Sequence, residues 1–302
     1  MLLMSVALVV LVFLAVMLVA GNNLSACVGP AIGSRIVTKR FGVLLGAAGF
    51  SAGLLVQGSS MTQSIGTLLP NASPELRSEA LLVAIIVFVI AYKLRVPMSL
   101  SMALVGLLAG LSIAQNSPAN GIFVSEVVLT WVFVPLIAFG LAFGLIRSLN
   151  RSWPKNLWNR LQSYKLLLIV ASFTTAYVTG ANTLGMIVST GGFDLASVLA
   201  AIAAIFVGSF FLSDGPIKRV SQEFFLMRYA NAAVTLVTST VLVESATILN
   251  IPLSITQTTS TAVFGSGLSY KTKLVSMKPF LKVVVGWIIA PLLSFAIGLL
   301  IG

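Results

Sequence analysis

The chain contains no histidine, a single cysteine and only seven acidic residues among 302. Without histidine, neither a His/Cys metal site nor a Ser-His-Asp hydrolytic centre can be built, and one cysteine, Cys27, leaves no intrachain disulfide. No paired-carboxylate arrangement offers acid–base chemistry either, so an enzyme reading has little to stand on. Charge of either sign is scarce at 8% of residues, against about 25% in ordinary globular domains, while 58% are hydrophobic and the mean hydropathy is +1.07. A soluble fold is excluded.

What is present is apolar sequence in runs of roughly 17 to 25 residues, each long enough to cross a ~30 Å hydrocarbon core as a helix. Alternating strand-like patterning is absent, which predicts an all-α integral membrane protein. Spans are expected near 1–20, 41–59, 79–95, 99–115 and 125–147, and near 164–180, 193–213, 227–249, 255–270 and 279–301. The first run lacks the basic flank of a signal peptide and reads as a retained helix.

The formal net charge of +11 is a matter of topology before it is a matter of partners. Arg147, Arg151, Lys155, Arg160 and Lys165 lie between the two sets of five spans with no acid among them, which marks that stretch as cytoplasmic. Threading outward, 17 of the 18 basic residues fall on the same side, and only Arg77 falls outside. Glu75, Glu79, Glu126 and Asp194 land on the outer side, so ten crossings with both termini outside account for nearly all the charge. Nucleic-acid binding is not indicated.

Four landmarks recur in order in the two halves. Gly21-Asn22-Asn23-Leu24 is answered by Ala181-Asn182-Thr183-Leu184, and Met61-Thr62-Gln63-Ser64 by Val220-Ser221-Gln222-Glu223. Pro97-Met98-Ser99-Leu100-Ser101 pairs with Pro252-Leu253-Ser254-Ile255-Thr256, and Trp131 to Pro135 with Trp287 to Pro291. The offsets are 160, 159, 155 and 156, and an odd number of crossings separates equivalents. This predicts two inverted-topology repeats, 1–147 and 164–302, joined by a cytoplasmic linker at 148–163.

The densest polar features inside apolar sequence are residues 21–34, residues 180–192 and the two Pro-x-Ser stretches, all containing Gly or Pro. They are expected to be broken helices or re-entrant hairpins, giving about 10–12 membrane segments, because irregular backbone at membrane depth survives only where it lines a cavity or is buried in protein. Freed amides and helix N-termini suit an anion, and freed carbonyls and hydroxyls suit a small cation. The competing reading is that these Ser and Thr side chains bond back to their own helices or join neighbouring ones. Of the seven acids, Glu244 is the one set within an apolar run, close to its outer end, where it either snorkels to the interface or couples transport to a proton or cation.

These stretches resemble the inorganic phosphate transporter family, often called PiT, whose halves each carry a Gly-Ala-Asn-Asp signature and a later Pro-[Val/Ile]-Ser-[Gly/Thr]-Thr-His/Gln stretch. The resemblance implies a cation-coupled symporter, usually dimeric, multi-pass in the cell membrane, with an oxyanion held between the signatures and the two hairpins. On that basis Ser99, Ser101, Ser254, Thr256, Gln257, Asn22 and Asn182 are the candidate substrate residues. Asn22, Asn23, Asn182, Thr183, Thr62 and Ser221 are the candidate cation residues, with sodium ahead of a proton.

Asn23 and Thr183 stand where the family has aspartate, Ala26 and Met186 where it has a second asparagine, and Met102 where it has histidine. Hydrogen phosphate carries an O–H that wants a buried acceptor, whereas sulfate wants donors only. The lost carboxylates favour sulfate more than the resemblance does, which leaves phosphate the first expectation and sulfate the alternative, with an uncoupled anion channel or a non-transporting sensor as further readings.

Overall fold

The computed structural model describes residues 2–70, 72–93, 99–116, 119–152, 157–218, 228–269 and 277–302, and the described residues are helical with no strand among them. The first half contains α1 (Leu2–Gly33), α2 (Lys39–Gln57), a short 3₁₀ turn, α3 (Met61–Leu68), α4 (Pro74–Lys93), α5 (Leu100–Ala114) and α6 (Gly121–Ser152). The second contains α7 (Leu157–Thr179), a π-helical turn at Gly180–Leu184, α8 (Gly185–Gly191), α9 (Leu195–Phe211), α10 (Asp214–Lys218), α11 (Tyr229–Ile248), α12 (Ile255–Leu268) and α13 (Met277–Ile301). A helix stands at each of the ten expected spans.

Their lengths separate them into two kinds. Six helices among the described residues are long and apolar enough to cross a membrane. By contrast α5, with 15 residues, and α12, with 14, reach only about 21–22 Å at 1.5 Å per residue, short of a full crossing. Both are well enclosed, and α5 is buried from Leu100 to Ser112 without interruption.

The long helices turn apolar side chains outward. On α6, Phe133, Leu136, Ile137 and Leu141 are exposed, while the smaller Ala138 and Ala142 face inward with Ile146. Small inward residues let backbones approach where lipid offers no hydrophobic penalty to the larger ones. α5 packs along α13, and α12 along α6, so each short helix lies against the last helix of the other half.

Close approaches at glycine fix these contacts. A Cβ on Gly110 would meet the Phe295 carbonyl, and one on Gly265 the Phe139 carbonyl, in each case closer than 3.0 Å. Residues 110 and 265 are 155 apart, and 139 and 295 are 156 apart, the same offsets as the nearby sequence landmarks. A second matched pair joins Gly21 to the Gly208 carbonyl and Gly180 to the Phe50 carbonyl, with offsets of 159 and 158.

Two features differ from the sequence expectation. The stretch at 21–34 is not broken: α1 runs without interruption through Asn22 and Asn23 and over Pro30 to Gly33. Gly21 there provides a crossing point for α9, and does not mark a helix end. The helices α6 and α7 also extend into the expected linker, α6 as far as Ser152 and α7 from Leu157.

The sides sorted by charge agree with the contacts. Lys39 pairs with Asp214 at 2.5 Å, joining two ends expected to be cytoplasmic, and Arg77 lies beside Gly192 near the expected outer ends of α4 and α8. The chain is a multi-pass membrane protein.

Candidate functional site

Ser99 and Ser254 occupy equivalent places, each as the last extended residue before a short buried helix. Their backbones are extended at φ −98°, ψ 121° and φ −84°, ψ 114°, yet neither side chain caps its helix. The hydroxyl of Ser99 pairs instead with Ser101 at 2.9 Å, and that of Ser254 with Thr256 at 2.8 Å. The amides of the first turn consequently have no side-chain acceptor, at the ends of helices where the backbone dipoles concentrate positive charge. Ser99, Ser101 and Ser254 are 7%, 2% and 2% exposed, so water is largely kept from both sites.

Gln257 completes the second site. It is buried, and its side-chain carbonyl has no partner. Leu100, Leu253 and Ile255 belong to a single buried apolar cluster, so both helix N-termini abut one shared core. No hydrogen bond links the two hydroxyl pairs directly among the described residues.

Other hydroxyls of the second stretch behave as helix or packing residues. Thr258 bonds back to the Ile255 carbonyl, Thr261 to Gln257, and Thr259 joins Ser239 on α11 at 3.2 Å. The polar-glue reading holds for these, and the paired hydroxyls at the helix start stand apart from it.

Asn182 is brought beside the second site but is committed to building it. Its amide donates to Thr247 Oγ1 at 3.1 Å and to the Ile251 carbonyl at 3.0 Å, and its Oδ1 accepts the Leu253 amide at 2.9 Å. These bonds tie the π-helical turn to the chain leading into Ser254. A π turn widens the helix and redirects a side chain, and such turns occur often at functional sites. Glycine is required on both flanks, because a Cβ at Gly180 would strike the Phe50 carbonyl and one at Gly185 the Gly58 carbonyl.

Asn250, at φ 56°, secures the same segment to α3. Its amide donates to Gln63 Oε1 at 2.9 Å, and its carbonyl accepts the Ser64 hydroxyl. Trp131 Nε1 donates to the Pro252 carbonyl at 2.9 Å. The chain from Asn250 to Leu253 is therefore held by α3, α6 and the π turn.

Among the candidate cation residues, hydrogen bonding joins only Asn22 and Asn23 within the described residues. Asn22 is partly exposed and donates to Asn23 Oδ1 at 3.3 Å. Thr62 pairs with Ser189 at 3.1 Å, while Thr183 is buried with its hydroxyl unpartnered. Ser221 lies outside the described residues. No group of three or more acids or cysteines suited to a metal ion occurs among the described residues.

Sequence reasoning passed over Thr247, Asn250 and Gln57. The first two sit at the end of α11 and in the loop after it, where nothing in their spacing signals that Asn182 or α3 will reach them. Gln57 donates to Glu244 at 3.1 Å across two helices.

Several known proteins are similar to this chain. The "Putative phosphate permease MJ0630" of Methanocaldococcus jannaschii is 24% identical over 294 residues, covering 96% of this chain and 94% of that protein. The sulfate permease CysP of Bacillus subtilis is 24% identical over 306 residues, covering 94% of this chain and 83% of that one. A solved structure titled "The sodium-dependent phosphate transporter" superposes with a TM-score of 0.84 over 98% of each chain at 16% identity, which shows a shared fold. Residues 19–298 match the phosphate transporter family, a family of transporters and not of enzymes. With that match spanning nearly the whole chain, including both hydroxyl pairs and the π turn, the chain belongs to the phosphate transporter family.

Proposed function

We propose that this protein is a cation-driven permease of the cell membrane that carries a tetrahedral inorganic oxyanion, with inorganic phosphate as the first substrate. The observation that carries this reading is the pair of short buried helices, α5 and α12, each opening on two bonded hydroxyls with no side-chain cap. Buried amides and hydroxyls at helix N-termini give a dianion the several dipoles it needs when no lysine or arginine is at hand. Ser99, Ser101, Ser254, Thr256 and Gln257 are its direct contacts in this reading, with Asn22 beside them and Asn182 holding the second site in place.

The matched close approaches at Gly110 and Gly265, and at Gly21 and Gly180, support two inverted repeats facing each other across the substrate. The drive is a cation gradient, and where that cation is sodium the neutral oxygens of Asn22, Asn23, Asn182, Thr183, Thr62 and Ser221 are its candidate ligands. The working unit is a homodimer in the bilayer.

Sulfate is the second reading, favoured by one observation. Asn23 and Thr183 put an amide and a hydroxyl where a carboxylate would accept the proton of hydrogen phosphate. The similarity to a sulfate permease supports it as well.

Purified protein reconstituted in liposomes, supplied with radiolabelled phosphate or sulfate under an imposed sodium or proton gradient, tests the reading. Saturable accumulation is expected. Absence of saturable uptake of both anions would falsify it, and large currents without accumulation would identify a channel.

A further inference from the structure

Glu244 lies four residues before the end of α11, one of the helices long and apolar enough to span a membrane. Its Oε1 accepts the hydrogen bond from Gln57 Nε2, while its Oε2 is buried without any partner. A carboxylate oxygen withdrawn from water and left unpaired is costly, and ionisable groups kept at such positions usually serve an ion pathway. A bare metal cation would need a shell of several oxygens at this point, whereas a proton needs only the one that is unpartnered.

The position of Glu244 connects it to the substrate site. Residues 240, 244 and 247 share one face of α11. On that face Thr240 bonds Thr175 of α7 at 2.8 Å, Glu244 bonds Gln57 of α2, and Thr247 bonds Asn182 of the π turn. Gln57 directly precedes Gly58, whose carbonyl lies against Gly185 at the end of that turn. The carboxylate is thus joined from both sides to the segment that positions Ser254.

Charged neighbours are few. Tyr177 of α7 is within electrostatic reach of Glu244. α12 and the π turn carry no titratable side chain, and Cys27 of α1 is bonded to Thr179. On α6, Glu126 is exposed and Arg147 stacks on Phe143 toward the other end, while Lys39 and Arg40 begin α2 at its far end. Among the described residues no lysine or arginine forms an ion pair with Glu244.

We propose that Glu244 is the coupling group of this transporter, binding one proton at Oε2 when the oxyanion is loaded and giving it up after delivery. The proposal rests on the transport reading above. It assigns the drive to a proton held at a residue outside the signature stretches, with Gln57 as the partner that orients the carboxylate. Only the proton changes hands, from water on one side to Oε2 and from Oε2 to water on the other.

Full-length wild type, Glu244→Gln and Glu244→Asp proteins in sodium-free liposomes are compared for two readouts with labelled phosphate. The first is accumulation driven by an acid-outside pH gradient, and the second is exchange of external for internal phosphate at equal pH. The Gln variant can still accept from Gln57 but cannot release a proton, so it is expected to exchange while accumulation drops to the gradient-free level. The Asp variant is expected to recover part of the pH-driven accumulation. Accumulation by Glu244→Gln equal to wild type, or wild-type accumulation driven by sodium alone with pH clamped, overturns the proposal and leaves the transport reading intact. Wild type that neither accumulates nor exchanges phosphate or sulfate defeats the transport reading itself.

Discussion

The side-chain carbonyl of Asn182 accepts the backbone amide of Leu253 at 2.9 Å, joining residues 71 positions apart. Because the same side chain also donates to Thr247 and Ile251, one asparagine satisfies three buried groups on the path into α12. Asn182→Ala should therefore cost about 2–3 kcal/mol of stability through those groups left unpaired. Thermal unfolding in detergent measures it. An unchanged melting temperature would mean that the segment is held by Asn250 and Trp131 alone.

The hydroxyl pairs predict an effect on affinity. Ser254→Ala or Thr256→Ala removes one charge-assisted hydrogen bond, so oxyanion binding should weaken by about 1.5–3 kcal/mol, roughly ten- to a hundredfold. Calorimetric titration with phosphate and sulfate reads this directly. Equal affinity in wild type and both variants counts against the site.

Glycine positions allow a test of packing with internal controls. Gly110→Ala and Gly265→Ala drive a methyl into the Phe295 and Phe139 carbonyls, and each should destabilise by about 1–3 kcal/mol. Gly140 and Gly144 of α6 have open space around them, and alanine there should be neutral or stabilising by up to about 1 kcal/mol through helix propensity. Equal melting temperatures for the two sets would contradict the close helix contacts.

Substrate identity has a pH signature. If no acceptor remains for a substrate proton, sulfate competes at least as well as phosphate near neutrality. Phosphate should then gain on sulfate as rising pH converts dihydrogen phosphate to hydrogen phosphate, which matches sulfate in charge and has one O–H fewer to satisfy. Competition binding across the pH range checks the direction, and strict preference for phosphate at every pH would remove the argument from Asn23 and Thr183.

Sidedness can be mapped with a single reporter, since Cys27 is buried and bonded to Thr179. In a Cys27→Ala background, Lys155→Cys should react with an impermeant thiol reagent only after the cells are opened. Labelling of intact cells would invert the topology.

The places of the ten main helices were legible in the sequence because long apolar runs mark where a chain can enter lipid, whereas the short α3, α8 and α10 were not. The paired stretches at Ser99 and Ser254 were legible too, since proline and clustered hydroxyls in apolar sequence mark a helix start. The state of the two signatures was not. Gly21-Asn22-Asn23 and Ala181-Asn182-Thr183 look alike on paper, yet the first lies in a continuous helix and the second in a π turn. What sets the second apart lies with distant neighbours: Asn182 bonds Thr247 and Ile251, and Gly185 lies against the Gly58 carbonyl. The commitment of Asn182 to Leu253 was hidden for the same reason, as was the reach of Gln57 to Glu244.

The crossed pairing of α5 with α13 and of α12 with α6 bears on how the protein is made. When α12 leaves the ribosome its partner is already in place, but α5 has to wait for a helix encoded near the other end of the message. Some 187 residues separate Ala114 from Ile301, which at 5–20 residues per second is roughly 10–40 s of synthesis. Through that interval the seam at Gly106 and Gly110 has no partner, and a small-residue stripe in lipid is open to any neighbouring helix. Insertion of α13 is the step that covers this seam.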